Sequence, residues 1–308
     1  MNTHSAMGAC TPPVRRAIQR AALLLAVALP AHAALVEQVI EVPVKVANAY
    51  GRVVEQPIVV SVYQDSTSPV PRPIALINHG RAADAAQRAA FGRATAITNA
   101  RWLAGMGFLV VVPTRLGYGV SGGEDVEDTG PCGRKRYPPG YEAAAAQTLQ
   151  VLDQVRQRPD VQADRVLVLG QSFGGATAIA VAAKGAPGVL AAINFAGGGG
   201  ANPLTQPQQP CDTPGLRDLF AGYGRTARIP TLWVYAENDQ WMGPAYPRQW
   251  FDAFQAAGGQ GEFVLFPPNG KDGHGLFTQD PSAWRPTVLE FLRKHVDPGL
   301  AAKGAERR

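Results

Sequence analysis

The sequence predicts an α/β fold with a mostly parallel central sheet, helices on both faces of the sheet and an antiparallel hairpin at its N-terminal edge. Six short apolar runs after residue 73 have the length of strands that are buried on both faces. Ala-rich stretches with helical spacing separate these runs, and such alternation is typical of βαβ units with parallel strands. Of the 308 residues, 46% are hydrophobic, which is enough to form a core.

Residues 1–33 are predicted to be a cleaved secretory signal peptide. This segment contains three arginines and no acidic residue. The arginines precede the nine-residue apolar run Ala21–Leu29, and an Ala-His-Ala triplet ends the segment at Ala33. A basic start, a short apolar run and an A-x-A site are typical of such signals. A transmembrane anchor is the alternative, but a membrane span takes about 20 residues. We therefore expect an exported bacterial protein, periplasmic or extracellular, with no membrane contact after cleavage.

The net charge of +5 arises largely in this signal segment. Removing its three arginines from the 29 basic residues leaves 26 against 24 acidic residues, a net charge of +2. A nucleic-acid partner is therefore not expected. The three remaining histidines are scattered along the chain, so no metal-ligand spacing appears, and no dinucleotide or phosphate motif follows the early strands. No metal or cofactor is predicted.

The mature chain, residues 34–308, is predicted to form one domain. The Val- and Ile-rich segment Val36–Tyr63 is interrupted at Asn48–Gly51, which indicates a β-hairpin. The later strands are predicted at Ile74–Ile77, Phe108–Val112, Val166–Leu169, Leu190–Phe195, Leu232–Tyr235 and Phe263–Phe266. The helices are predicted at Ala94–Ala104, Tyr141–Arg156, Gly174–Ala183, Tyr246–Ala257 and Trp284–His295.

Two long excursions, residues 115–139 and 197–226, interrupt this alternation. Each follows a predicted strand, so each emerges at the carboxyl edge of the sheet, where open α/β sheets bind ligands. Cys132 lies in the first excursion and Cys211 in the second. In an exported protein this even pair predicts a disulfide that clamps the excursions over the site, with two free thiols as the alternative.

The pattern Gly-x-Ser-x-Gly occurs twice, around Ser172 and around Ser121. Ser172 directly follows the predicted strand Val166–Leu169 and precedes an Ala-rich helical stretch, which is the setting of a nucleophile elbow. Ser121 follows its strand only after a Gly-rich loop and precedes acidic loop sequence. We therefore predict Ser172 as the nucleophile; an ordinary helix N-cap is the structural alternative.

A serine nucleophile needs a base, and only His79, His274 and His295 remain once the signal is removed. His79 ends a predicted strand before the serine, and His295 lies late in the terminal helix. His274 lies in a loop after the last predicted strand, and that loop returns to the edge at which Ser172 lies. His274 is therefore the predicted base.

The acid that orients the histidine is predicted in the loop after the strand Leu232–Tyr235. Glu237 and Asp239 both lie there, and Asp239 is preferred because it lies deeper in the loop. Asp272 is too close along the chain to His274 to reach behind its ring. The resulting order, serine, aspartate, histidine, is that of one known type of hydrolase triad.

These residues resemble the α/β-hydrolase superfamily, over essentially all of the mature chain. Within it the chain looks most like exported relatives of the dienelactone hydrolases and prolyl-oligopeptidase-type esterases. The resemblance implies that the backbone N–H groups of Arg81 and Phe173 form the oxyanion hole. It is carried by Asn78-His79-Gly80, the stretch from Arg115 to Gly122, Gly170-Gln171-Ser172-Phe173-Gly174-Gly175, Asp239 and Gly273-His274-Gly275.

The chain departs from these relatives at two places. Dienelactone hydrolases proper use a cysteine nucleophile, whereas this chain has Ser172. Many relatives also carry an acidic residue where this chain has Pro113-Thr114, just before the Arg-Leu-Gly stretch.

The predicted function is that of a secreted serine esterase acting on a small-molecule or polymeric ester. The alternatives are a peptidase or aminoacyl hydrolase of the prolyl-oligopeptidase type, and a non-catalytic binding module on a hydrolase scaffold. The candidate pocket residues are aromatic side chains near predicted strand ends: Tyr118, Phe173, Phe195, Trp241 and Phe277.

Overall fold

An eight-stranded sheet lies at the centre of the computed structural model, which describes residues 1–2, 34–82 and 84–300. The chain divides into a unit of residues 1–32 and a unit of residues 33–308. All but the first two residues of the predicted signal peptide lie outside the described residues. The fold below is that of the second unit.

Strands and helices alternate from the third strand onward. The strands are β1 (Leu35–Ala47), β2 (Val53–Asp65), β3 (Arg72–Asn78), β4 (Leu109–Pro113), β5 (Val161–Gln171), β6 (Val189–Phe195), β7 (Thr231–Ala236) and β8 (Gly261–Phe266). The helices are α1 (Ala85–Ala89), α2 (Ile97–Gly105), α3 (Tyr137–Val155), α4 (Phe173–Lys184), α5 (Thr213–Gly224), α6 (Ala245–Ala256), α7 (Leu276–Gln279) and α8 (Pro281–His295). Short 3-10 turns lie at Gly119–Ser121, Cys132–Arg134 and Gly273–Gly275.

The strand order in the sheet is β1-β2-β4-β3-β5-β6-β7-β8. The hairpin of β1 and β2 is antiparallel and pairs with β4, also antiparallel, while β4, β3 and β5 to β8 are parallel. This confirms the predicted α/β architecture with an antiparallel N-terminal edge. Because β3, β5, β6, β7 and β8 run in one direction, the loops after them meet at one edge of the sheet.

The sheet separates two hydrophobic cores. In β3, Ile74 and Leu76 belong to one core and Ala75 and Ile77 to the other, since successive side chains point to opposite faces. Helices α3 to α6 contribute to the first core, and α2 and α8 to the second. Both faces are therefore covered, which explains why the inner strands are continuous apolar runs.

All five predicted helix starts differ from the structure by one to four residues, and two of these differences have an identifiable cause. The helix predicted from Ala94 begins at Ile97, because the N–H of Ala94 donates to Thr114 Oγ1 and its carbonyl accepts from Ser61 Oγ. The first excursion ends earlier than predicted, since α3 begins at Tyr137 and carries prolines in its first turn, where a missing N–H costs no helical bond.

Among the described helices, none combines the length and the apolar character that crossing a bilayer requires.

Candidate active site

Ser172 lies at the sharp turn between β5 and α4. Its backbone has φ 58° and ψ −124°, a conformation that costs a residue with a side chain about 1–3 kcal/mol. The turn also needs small neighbours. A Cβ on Gly174 would lie 2.2 Å from the carbonyl oxygen of Asn78, and one on Gly170 would lie 2.3 Å from the carbonyl oxygen of Gly174. The Gly-x-Ser-x-Gly sequence therefore provides the glycines that this strand–turn–helix junction requires.

Asp239 and His274 are in direct contact. Nδ1 of His274 lies 3.1 Å from each carboxylate oxygen of Asp239. Asp239 is fully buried, and its Oδ1 also accepts the backbone N–H groups of Trp241 at 2.8 Å and Met242 at 2.9 Å. Because a carboxylate only accepts hydrogen bonds, Nδ1 of His274 carries the proton and Nε2 is left free to act as a base.

Two further side chains hold the His274 loop. Asp272 Oδ1 accepts the backbone N–H groups of His274 and Gln240, each at 2.9 Å, and so joins the loops after β7 and β8. Gln171, the residue before Ser172, donates from Nε2 to the carbonyl oxygen of His274 at 2.6 Å. These bonds bring the His274 loop beside the turn that carries Ser172. Glu237, the second candidate acid, is exposed.

The loop after β3 runs along the serine. A Cβ on Gly80 would lie 3.3 Å from Cβ of Ser172, so this glycine allows the backbone to approach the nucleophile. Arg81, the next residue, lines the same cavity as Ser172 and Phe173. Phe173 is the first residue of α4, so its N–H has no acceptor within the helix. The two predicted oxyanion donors thus belong to the wall around Ser172.

A buried network below this loop centres on His79. Nδ1 of His79 lies 2.7 Å from the carbonyl oxygen of Gly80, and Nε2 lies 3.2 Å from the backbone nitrogen of Arg115. Since a backbone N–H can only donate, Nε2 accepts and Nδ1 carries the proton. Burial lowers the pKa of His79 well below its ordinary value, and the charge of Arg115 lowers this pKa further. His79 is therefore a neutral part of the scaffold.

Arg115 holds the same loop from beneath through its side chain. Its Nη1 donates to the carbonyl oxygen of His79 at 2.9 Å, and its Nε donates to Glu127. Both side chains of this ion pair are fully buried, and the Tyr118 hydroxyl donates to Glu127 at 3.2 Å. Glu127 thus provides the negative charge that pairs with Arg115. The sequence offered no local signal for this pair, because Glu127 lies in an irregular loop 12 residues after Arg115.

Two basic side chains in the wall of the Ser172 cavity, Arg81 and Lys135, have different partners. Asp125 accepts two bonds from Arg81, at 2.7 and 2.5 Å, and lies 3.0 Å from Nη2 of Arg88. Burial raises the pKa of the Asp125 carboxyl, but the hydrogen bonds and charges of these arginines outweigh burial, so the pKa lies below its usual value. Burial and the nearby charge of Arg81 lower the pKa of Lys135, whose Nζ donates to the carbonyl oxygen of Gly130 at 2.6 Å.

Ser172 opens into a cavity of about 220 Å³. Its lining comes from the loops after β3 and β7, from the start of α4 and from both excursions. Cys132 and Cys211 are joined by a disulfide, and both line this cavity. The hydroxyl of Tyr137 donates to the carbonyl oxygen of Cys211, which adds a second connection between the excursions. The excursions therefore form a wall of the Ser172 cavity.

The predicted pocket aromatics have different positions. Trp241 and Phe173 line the Ser172 cavity. Tyr118 is fully buried, 4.6 Å from the His79 ring, and Phe195 is buried in the core with its ring 4.5 Å from that of Phe277. Phe277 instead lines a second cavity of about 320 Å³, which also includes Gly80 and Gln171 but not Ser172.

Two other side chains from the sequence analysis have structural contacts. The Ser121 hydroxyl accepts the N–H of Val59 at 2.9 Å and donates to the carbonyl oxygen of Thr114 at 2.5 Å, so it is fully engaged. His295 lies 3.5 Å from Glu262, away from the carboxyl edge. Within the described part of the chain, no group of three or more His, Cys, Asp and Glu side chains could hold a metal ion.

The sequence of this chain matches a known protein family. Residues 88–284, more than half of the chain, match the model of the dienelactone hydrolase family. None of the curated proteins that were searched matches the chain.

Solved structures show the same fold at low sequence identity. A protein assigned as a dienelactone hydrolase from Klebsiella pneumoniae subsp. pneumoniae has a TM-score of 0.53 and 16% identity, covering 83% of this chain and 97% of that chain. The acetyl xylan esterase from Paenibacillus sp. R4 has a TM-score of 0.56 and 16% identity, with coverages of 85% and 89%. The acylaminoacyl peptidase of Pyrococcus horikoshii has a TM-score of 0.57 and 11% identity, covering 83% of this chain but 41% of the peptidase.

Proposed function

The chain belongs to the dienelactone hydrolase family, and we propose that within it this protein is a serine hydrolase that cleaves carboxylic esters. The observation that carries the proposal is the buried contact between Asp239 and His274, beside a serine held in a strained turn. Such a contact keeps the imidazole in the tautomer that can accept a proton from the serine. A buried acid with no catalytic role would not need to orient a histidine at the edge where the nucleophile lies.

The proposed reaction transfers the acyl group first to Ser172 and then to water. Ser172 Oγ attacks the ester carbonyl carbon while its proton moves to Nε2 of His274, and the carbonyl oxygen becomes an oxyanion. The N–H groups of Arg81 and Phe173 stabilise that oxyanion; removing one such donor costs about 3–4 kcal/mol of transition-state stabilisation. His274 then protonates the leaving alcohol as the C–O bond breaks. Water, deprotonated by His274, releases the acid and restores Ser172.

The size of the cavity supports a small acyl group. At about 220 Å³ it is smaller than the 300–1,000 Å³ typical of pockets for drug-sized ligands. The disulfide in its wall restricts how far the excursions can separate. We therefore expect kcat/KM to be highest for acetyl to butyryl esters and to fall with longer chains, measured on a series of p-nitrophenyl esters.

Peptide-bond cleavage is the second candidate, because the fold also matches that of an acylaminoacyl peptidase. The two activities are distinguished by pairing each p-nitrophenyl ester with the p-nitroanilide of the same acyl group. An esterase hydrolyses the ester and leaves the anilide essentially intact. Hydrolysis of both at comparable rates would favour the peptidase.

Substitution of Ser172 tests the proposal directly. We expect Ser172→Ala to lose esterase activity and labelling by a fluorophosphonate, whereas wild type is labelled at one site per chain. Ser121→Ala is the matched control, since it removes the serine of the second Gly-x-Ser-x-Gly sequence and should keep the activity of the folded protein. Esterase activity in Ser172→Ala would contradict the proposal, and an unlabelled wild type would favour a non-catalytic binding module.

Export of the mature chain is part of the same proposal. Its support is the basic and apolar N-terminal sequence together with the Cys132–Cys211 disulfide, because disulfides persist in oxidising compartments. N-terminal sequencing of the protein recovered from bacterial periplasm or medium should begin at Ala34. A protein that keeps its first 33 residues and remains in the cytoplasm would contradict export.

A further inference from the structure

Trp241 covers one face of the His274 ring. The two ring centroids lie 5.2 Å apart with an interplanar angle of 25°. The backbone N–H of Trp241 donates to Asp239 Oδ1 at 2.8 Å, and the same carboxylate binds Nδ1 of His274. Asp239 therefore holds both the histidine and the residue that stacks on it, which makes the contact a defined part of the site.

Trp241 also faces the place where the reaction is proposed to occur. It is half-buried and lines the 220 Å³ cavity together with Ser172. An indole in this position reduces the access of water to the imidazole and presents a π face to it. A cation on the face of a tryptophan gains about 0.5–1 kcal/mol at exposed sites and about 2 kcal/mol when it is desolvated.

We propose that Trp241 is a positioning residue that stabilises the His274 imidazolium while the proton of Ser172 resides on it, an inference that rests on the proposed function. When Ser172 Oγ attacks, its proton forms the new N–H bond at Nε2 and the ring becomes positive. The Asp239 carboxylate then faces the ring edge, and the indole faces its plane. The charge disappears again when the proton passes to the leaving alcohol.

Replacing Trp241 removes none of the charged groups that contact His274 or line the Ser172 cavity. Asp239 and Asp272 contact His274 from the loops after β7 and β8. Arg81 and Lys135 line the same cavity from the loop after β3 and from the first excursion. A change in the pH profile of a Trp241 variant therefore reports the loss of the indole.

Kinetics of Trp241→Leu and Trp241→Phe test the role. With p-nitrophenyl acetate we expect kcat of Trp241→Leu to fall about three- to tenfold and KM to change less than about twofold. The acidic limb of the kcat/KM profile should move to lower pH by about 0.5–1 unit, because the protonated ring loses a favourable contact. Trp241→Phe, which keeps an aromatic face, should lie between wild type and Trp241→Leu. The half-buried Trp102, which packs on Trp284, gives the matched control Trp102→Phe with wild-type kinetics.

Fluorescence tests the contact without using activity. An imidazolium quenches a neighbouring indole, so wild-type emission should fall on acidification in a transition that is absent from Trp241→Phe and His274→Gln and present in Trp102→Phe. The other described histidines pack on other rings, His79 on Phe91 and Tyr118 and His295 on Phe291.

The outcomes separate this inference from the proposed function. A variant Trp241→Leu that changes only KM, or leaves the acidic limb in place, overturns the positioning role and leaves Trp241 as a wall of the cavity. Absence of the fluorescence transition in wild type overturns the contact even if Ser172→Ala is inactive. If the transition is present but Ser172→Ala keeps its activity, the contact stands and the proposed function fails.

Discussion

Removing the Cys132–Cys211 bond probes both the stability of the fold and the shape of the site. The double variant Cys132→Ser/Cys211→Ser leaves the mature chain without a covalent link between the two excursions. Because both cysteines line the Ser172 cavity, the change also loosens its wall. We therefore expect an effect on the free energy of unfolding and a separate effect on acyl-chain selectivity.

The magnitude of the stability effect follows from the length of the closed loop. The bond joins residues 79 positions apart, for which the loop-closure model gives about 4.5 kcal/mol. One contact between the excursions remains in the variant, the bond from the Tyr137 hydroxyl to the carbonyl oxygen of residue 211. Within the second excursion, the N–H of residue 211 still donates to the carbonyl oxygen of Gly200 at 2.9 Å. Both hydrogen bonds use backbone atoms of residue 211, so replacing the cysteine side chain by serine preserves them. The expected loss is about 2–4 kcal/mol.

Urea denaturation of the mature chain, residues 34–308, measures this loss by comparing the double variant with wild type. Wild type in the presence of reductant, which also lacks the bond, is compared with untreated wild type in the same way. The ratio of kcat/KM for an octanoyl ester to that for an acetyl ester should rise in the variant. Alkylation of unreduced wild type should label no thiol. A loss below about 1 kcal/mol with an unchanged ester ratio would refute the reasoning that this bond constrains the excursions.

Three further predictions concern carboxylates, of which Asp239 and Glu127 are fully buried and Asp125 is half-buried. Asp239→Asn should lower kcat by about 10⁴-fold, because an amide favours the wrong tautomer of the histidine; a loss under tenfold on p-nitrophenyl acetate would contradict its role. Glu127→Gln should lower the free energy of unfolding by about 3–5 kcal/mol in urea, since it leaves Arg115 buried and unpaired, whereas the exposed-pair control Glu55→Gln should cost less than about 1 kcal/mol. The pKa of Asp125 is lowered in the folded state, so its contribution to stability is present above its ordinary pKa and is lost as pH falls through the folded value. The stability difference between wild type and Asp125→Asn in urea should therefore be largest near pH 7 and shrink below about pH 4; a difference that grows in acid would contradict this sign.

Local pattern was sufficient to predict most of the framework. The apolar runs locate the inner strands because a strand buried on both faces tolerates few polar side chains. The glycines around Ser172 identify the turn because only small residues fit between β5, α4 and the end of β3. The helix starts were less predictable, as at Ala94, because hydrogen bonds from distant residues compete with the helix there.

The tertiary structure decided which of the candidate side chains share a site. Tyr118, Phe195 and Phe277 all lie near strand ends, yet the first two are packed in the interior and the third lines a different cavity. Whether an aromatic side chain meets solvent or the core depends on the direction of the loop that carries it. A sequence pattern does not contain that direction.

By itself, the sequence determined the alternating framework, the nucleophile candidate and the short list of histidines, because these depend on residues that are neighbours along the chain. Only the tertiary structure decided that Glu127 pairs with Arg115, that Trp241 stacks on His274 and that the two cysteines lie within bonding distance. Each of these contacts joins irregular loops, whose paths are set by packing and hydrogen bonds with distant segments. The scaffold is therefore encoded locally, whereas the environment of the proposed reaction is produced by long-range contacts.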